Sequence, residues 1–160
     1  MSSLIIPAPT PTAEERLIES SAFWPPIDPS KIRMVQRIDN TVTPDRLRSA
    51  LIESIACCNA ALLSWRSTQQ SAGFAQLAAV PAESIDGISE RVHRYHRAVG
   101  CLAKALLLER YRDFDSNGTT ERQGDAKNET LTTTIDDCRR DYLNALADIR
   151  GLPRSTVELI

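Results

Sequence analysis

The sequence has few aromatic residues, no excess of either charge and no long hydrophobic run. Aromatic side chains make up 5% of its 160 residues, and 19 basic residues stand against 21 acidic ones. This balance gives no broad positive surface for binding phosphates, which disfavours a DNA-binding role. No stretch approaches membrane-spanning length, and residues 1–8 lack the charged and apolar regions of a secretory signal. We therefore expect a cytoplasmic product without a membrane segment.

The glycines and cysteines are not spaced as they are in phosphate-binding loops and redox centres. The six glycines form no phosphate-binding loop, which disfavours nucleotide hydrolysis. The four cysteines fall within helical patterns, and Cys57 and Cys58 are adjacent rather than spaced as in redox centres. No aligned histidine and acid would activate a thiol. We expect reduced core thiols and no enzyme activity.

Prolines concentrate in residues 1–27, which hold five of the nine. Each removes a backbone donor and pushes its predecessor toward extended geometry. The region therefore predicts an extended arm that a partner could order, with Phe23 and Trp24 as apolar anchors. An ordinary frayed tail is the alternative.

Apolar residues then recur at spacings of three and four, the pattern of one helix face. A short helix should begin at Asp28-Pro29, and Thr43-Pro44 repeats that start signal for a long one. The predicted stripes are Ile32, Val35 and Ile38 or Met34 in the short helix, and Leu47, Leu51, Ile55, Cys58, Leu62 and Trp65, then Ile88, Val92, Tyr95, Val99, Leu102 and Leu106, then Leu131, Ile135, Cys138, Tyr142, Ala145 and Ile149 in three long helices.

These patterns predict an all-α fold with three long antiparallel helices plus a short N-terminal helix. We divide the chain into an extended arm (1–27), a helical bundle domain (28–151) with a flexible polar loop (115–128), and a C-terminal tail (152–160). No run has convincing strand periodicity, and Asp86-Gly87 is expected to turn a connecting loop. The tail is apolar at Leu159 and Ile160, so it could add itself to a neighbour.

Two patterns resemble metal sites. Asp113, Asp115 and Asn117 match the first half of a calcium loop, but Gly124 stands where a glutamate is required. A calcium-binding helical regulatory protein is therefore the alternative function. His93 and His96 lie three apart on one helix, with no further histidine to complete a metal shell. We expect no metal and no cofactor.

Arginines follow one flank of the second and third long helices. They include Arg110, Arg112, Arg139 and Arg140. Acidic neighbours accompany them, so they form either a solvated face or a set of interface ion pairs with carboxylates on a partner.

Six runs, in order along the chain, resemble the head-completion protein, or L protein, of temperate contractile-tailed phages. They are FWPPIDP (23–29), TVTPDRLR (41–48), LAAVPAESIDG (77–87), ERYRDFD (109–115), TID (134–136) and RRD (139–141). The resemblance covers nearly the whole chain from Phe23 to Ile160.

This resemblance implies a head-to-tail connector adaptor, assembled in the host cytoplasm and carried in the virion. Its partners would be the portal protein, neighbouring copies in a ring of about twelve, and a tail-completion protein. Packaged DNA would pass through the lumen without specific binding. A weaker hypothesis is a regulator or enzyme of DNA packaging, which predicts salt-sensitive DNA binding.

Overall fold

The computed structural model describes residues 16–115 and 121–154, with the backbone alone for 112–115 and 121–128. Within these ranges the chain is mostly helical, as predicted, and has one short 3-10 helix at Leu77–Ala79. The helices are α1 (Pro29–Gln36), α2 (Pro44–Ala61), α3 (Leu63–Ser71), α4 (Glu90–Asp115) and α5 (Glu121–Arg150), and the strands are β1 (Ser84–Ile85) and β2 (Ile88–Ser89).

The two proline-marked helix starts lie where the sequence predicts them. Asp28 caps α1 by accepting from the amides of Ser30 and Lys31, and Pro29 follows in the first turn. Thr43 caps α2 through a contact of 3.4 Å from the amide of Arg46. Proline fits this position because the first helical amides need no partner within the helix.

The core is built around α4, with α2 and α5 packed against it. Tyr95 and Val99 of α4 are fully buried, as are Leu51 of α2 and Ile149 of α5. Tyr95, near the start of α4, donates a hydrogen bond of 2.8 Å to Asn59, near the end of α2, so these helices run antiparallel. A smaller cluster of Ala105, Ile135 and Cys138 extends the α4–α5 contact.

The first long helix of the prediction is two helices. The axis bends by 61° between α2 and α3, at Leu62. No proline or glycine marks this break, so no local signal predicts it. The bend leaves the carbonyl of Ala61 at a helix end, where the guanidinium of Arg150 donates to it. A tertiary contact therefore satisfies the carbonyl group that the break leaves free, and Leu62 itself is fully buried.

The hairpin corrects the expectation of a purely helical chain. Ser84 pairs with Ser89 and Ile85 with Ile88, and the turn between them is Asp86-Gly87. Both turn residues have positive φ, 52° and 73°, which suits a tight hairpin turn. The predicted turn is therefore present, but it joins two strands too short to show alternation.

The polar segment 115–128 is also more helical than expected. α5 begins at Glu121, so residues 121–128 have helical backbone. Glu, Arg, Gln, Ala and Lys in this stretch are good helix formers, and their polarity alone suggested a loop. Residues 116–120 lie outside the described part of the chain.

Candidate functional site

An open groove lies between α1 and α4. Its volume is about 630 Å³, within the roughly 300–1,000 Å³ typical of binding pockets. The groove, called here the α1–α4 groove, is lined by Pro26, Ile27, Asp28, Lys31, Ile32, Val35, Gln36, His93, His96, Arg97, Cys101 and Asp141.

Gly100 allows α1 to approach α4 at one end of this groove. A Cβ at Gly100 would lie 3.0 Å from Nε2 and 3.2 Å from Cγ of Gln36. Gln36 also donates a long hydrogen bond of 3.8 Å to the thiol of Cys101. The glycine in the middle of α4 therefore has a packing role, since it makes space for the end of α1.

Met34 and Val35 of α1 are largely exposed. The sequence placed Val35, or Met34, on the buried stripe of the short helix, but the two side chains are 75% and 68% exposed, and only Ile32 of this set and Ile38 beyond the helix are buried. The reason is geometric: a helix this short has one face toward α4, and adjacent residues point in different directions. Both residues are thus available to a partner, with Val35 on the groove wall.

Charged side chains border the groove. Arg97 forms an ion pair of 3.0 Å with Asp141 of α5. The hydrogen bond to Asp141 raises the pKa of the Arg97 guanidinium. Asp28 is engaged by the first amides of α1. No ion pair of Lys31 occurs among the described residues, which leaves its ammonium group available at the groove.

The two histidines of α4 have different neighbours. Nε2 of His93 lies 2.9 Å from the carbonyl oxygen of Ile85 in β1, which links the hairpin to the groove. His96 is half-buried, and its Nε2 has no partner in the described structure. Burial lowers the pKa of His96, and a hydrogen bond with the backbone of Pro26 opposes this effect. No group of three metal-ligating residues occurs in the described ranges.

The hairpin presents a second exposed apolar surface. Ile85 and Ile88, a cross-strand pair, are 50% and 40% exposed. Below Ile88 lies a shallow depression lined by Pro25, Pro81 and Val92 among others. Because His93 connects the hairpin to the α1–α4 groove, the two apolar surfaces belong to the same side of the chain.

The predicted aromatic anchors, Phe23 and Trp24, lie in the core of their own chain. They are 2% and 4% exposed, and Trp24 stacks on Tyr95. The segment before α1 is held by paired backbone hydrogen bonds between Ile18 and Ile27, at 2.8 and 2.9 Å. Residues 18–27 therefore belong to the folded domain, because burial of Ile18, Phe23 and Trp24 outweighs the extended preference of their prolines.

The predicted arginines are not brought together as one cluster. Arg139 makes a two-pronged contact with Glu109 across the α4–α5 pair, at 2.8 and 2.9 Å. Arg140 pairs with Asp137 on its own helix at 2.8 Å, and Arg110 is exposed. The side chain of Arg112 lies outside the described part, as do Leu159 and Ile160.

The thiols are poor nucleophiles. Burial raises the pKa of Cys58 to about 12 and also raises the pKa values of Cys101 and Cys138. All four cysteines are free. Since the thiolate is the reactive form, these groups suit core packing rather than catalysis.

The side chains of Asp113, Asp115 and Asn117, which match the first half of a calcium loop in the sequence, lie outside the described part of the structure. The residue where a bidentate glutamate is needed, Gly124, lies within α5.

Among the described helices none alone is long and apolar enough to cross a membrane; α2 and α3 reach that level only when taken together across their bend.

A helical domain with open apolar surfaces and paired surface charges has the features of a protein-binding structural subunit. The family model for phage head completion proteins (GPL) matches residues 18–160. The head completion/stabilization protein of Escherichia phage P2 is 42% identical over 152 residues, which cover 95% of this chain and 88% of that protein. The chain belongs to the phage head completion protein family. No solved structure matches it.

Lys31, Asp141 and Ile85 were not predicted as site residues. The prediction for Ile88, on the buried stripe of a long helix, was wrong, since it lies in β2 and is 40% exposed. A signal existed for Met34 and Val35: adjacent apolar residues on a short helix cannot both face one core. None existed for Asp141, which reaches the groove only because α5 folds back on α4.

Proposed function

We propose that this chain is an adaptor subunit that joins the portal to the tail after DNA packaging, as a ring of about twelve copies. Membership of the head completion family supports a place in the virion. Assembly in the host cytoplasm is part of the proposal. The ring, with the portal and the tail-completion protein as its partners, goes beyond family membership and belongs to the proposal alone.

The observation that carries this proposal is the apolar surface left open on one side of the chain. Val35 is exposed on the wall of the α1–α4 groove, Ile85 and Ile88 are exposed on the hairpin that His93 joins to that groove, and Met34 is exposed beside Val35 on α1. Exposed apolar side chains grouped on a folded domain are typical of protein interfaces. In a closed ring each copy uses one surface on one neighbour and a different surface on the other, so every copy buries both.

Charged and terminal residues complete the proposed contacts. Arg110, Arg112, Arg139 and Arg140 would meet carboxylates of adjacent copies, with Arg139 exchanging or sharing Glu109. Leu159 and Ile160 would bind the portal. Phe23 and Trp24 would act from the core, since they hold in place the segment that carries Pro26 to the groove.

DNA passage through the lumen requires weak rather than strong phosphate binding. The formal net charge of −2 fits this requirement. A surface that held phosphates tightly would slow ejection of the genome. The proposed mechanism is therefore mechanical: a rigid helical block is fixed between partners by many modest contacts.

The test is co-sedimentation of the purified chain with the purified portal of its phage. Wild-type chain should sediment with the portal, whereas chain lacking residues 156–160 should remain helical by circular dichroism and fail to sediment. Ile88→Asp should weaken attachment or ring formation, with the matched change Ala56→Asp, at an exposed position of α2, as its control. Attachment undiminished by the deletion would remove the tail from the portal contact.

A further inference from the structure

The described chain ends beside the α1–α4 groove, with its direction reversed. α5 ends at Arg150, and Gly151 takes a φ of +71°. The amide of Leu152 then donates to the carbonyl of Ala147 at 3.0 Å. This is the hydrogen-bond pattern by which a left-handed residue turns a chain back at the end of a helix.

Arg154 fixes the reversed chain against α5. Its guanidinium donates twice to the carboxylate of Asp148, at 3.0 and 2.8 Å. Asp148 also pairs with Arg94 of α4 at 3.1 Å. Residue 154 is therefore held on the side of α5 that faces α4.

This side of α5 leads to the groove. Asp141, on the groove wall, precedes Asp148 by seven residues, so the two lie on one face about 10 Å apart along the helix axis. Arg154 is close enough to Asp141 for the two charges to interact. Residues 155–160, if extended, span about 20 Å, which is about twice the separation of Asp148 and Asp141 along the helix axis.

The composition of this segment complements the groove. Its sequence is STVELI (155–160). In an extended segment Val157 and Leu159 point to one side and Glu158 to the other, where the long flexible side chain of Lys31 can extend past the segment to reach it. The groove offers Val35 and Ile32 as apolar surface and the ammonium group of Lys31, whereas its two acids are already engaged by the amides of α1 and by Arg97.

We propose that residues 155–160 of the same chain occupy the α1–α4 groove in the unassembled subunit, with Val157 and Leu159 against Val35 and with Glu158 toward Lys31. The short connection from Arg154 gives the segment a high effective concentration at this site. Docking covers the apolar groove. It also keeps residues 155–160 from binding a partner until that partner displaces them from the groove.

This inference deepens the proposed function by adding a state that precedes assembly, but it does not depend on the portal contact. The test uses amide chemical shifts of the isotopically labelled full chain, compared with those of a chain ending at Arg154. Removal of the segment should shift the amides of Lys31, Ile32, Val35 and Arg97. A synthetic peptide of residues 152–160, added to the shortened chain, should restore those shifts.

Substitutions within the full chain provide the second arm, which applies even if the shortened chain folds poorly. Val35→Asp should move the amide shifts of 157–159 to those of the free peptide, and Lys31→Glu should do so in part. Ala56→Asp should leave them in place. Glu158→Lys combined with Lys31→Glu should recover part of the docking lost in either single variant.

Shift changes confined to residues 148–154 after removal of the segment would overturn the proposal. Groove shifts that appear only as protein concentration rises would also overturn it, since they would place the tail in the groove of another copy. Failure of docking with normal portal co-sedimentation would contradict this inference alone. Normal docking without any portal attachment would contradict the proposed function alone.

Discussion

The indole ring of Trp24 lies flat on the phenol ring of Tyr95, with centroids 4.8 Å apart and planes inclined by 7°. The hydroxyl of Tyr95 donates to Asn59 at 2.8 Å, and Asn59 donates to Ser20 at 3.0 Å. This series of contacts joins the segment before α1 to α2 and α4. The segment therefore stabilises the same core that positions the groove.

Replacing Trp24 by alanine should destabilise the domain by about 3–5 kcal/mol, because it removes a large buried side chain and leaves a cavity against Tyr95. Urea denaturation followed by circular dichroism measures the free energy of unfolding. The control is Leu143→Ala at an exposed position of α5, which should change it by less than about 0.5 kcal/mol. Equal effects of the two changes would show that residues 16–27 do not belong to the core.

Gly100→Ala should change the free energy of unfolding differently in two backgrounds. Alanine favours the helix over glycine by about 1 kcal/mol, but in the wild type its Cβ would meet Gln36. We expect little gain, or a loss, in the wild type and a gain approaching 1 kcal/mol in the Gln36→Ala background. A double-mutant cycle by urea denaturation measures the coupling. Identical effects in both backgrounds would contradict the close approach of α1 to α4.

The loss of folding stability at acid pH should depend on Asp148. The hydrogen bonds from Arg154 hold the pKa of this carboxyl below its ordinary value of 3.8; partial burial opposes this, and the charge of Arg94 acts with it. A lowered folded-state pKa contributes stability that is present above the unfolded-state pKa and is lost as pH falls through the folded value.

The free energy of unfolding of the wild type should therefore fall more than that of Asp148→Asn as the pH is lowered from about 5 to about 2. This is roughly the range in which carboxyl groups titrate. Arg154→Ala should flatten the curve in the same direction, because it removes the principal cause of the shift. Parallel pH curves for the wild type and Asp148→Asn would show that this contact stabilises nothing.

Cys57 should be the first thiol of the described domain to be alkylated. It is only partly buried, whereas Cys58 is fully buried with a pKa raised to about 12. Burial, followed by the neighbouring Glu53, raises the pKa of Cys57 as well, so its reaction should be slow. Peptide mass spectrometry after timed iodoacetamide treatment at pH 8 should find label at Cys57 at least about tenfold ahead of Cys58. Equal rates would contradict the burial of Cys58.

The features of the fold that could be predicted are those that depend on residues close together in the sequence. Asp28-Pro29 and Thr43-Pro44 mark helix starts through capping chemistry, and the stripes of α4 and α5 reflect burial on one face. The bend at Leu62 could not be predicted, because no proline or glycine marks it and the guanidinium that satisfies its free carbonyl comes from the far end of the chain. Phe23 and Trp24 were expected to be interface residues since prolines surround them, yet their partner is Tyr95 of their own chain.

The groove could be predicted only in part. Cys101, His93 and His96 are evident in the sequence, but their position facing α1 requires the α1–α4 approach at Gly100. The family was predicted from six ordered runs, and the comparisons confirm it. The partner contacts of Arg110, Arg112, Arg139, Arg140, Leu159 and Ile160 stay predictions.

Electron microscopy of the purified chain mixed with the portal of its phage tests the adaptor role most directly. The proposed function predicts a continuous ring of added density on the tail-facing side of the portal, with the chain ordered into equivalent copies around its axis. Portal particles identical with and without the chain, at concentrations where the chain itself is folded, would contradict it.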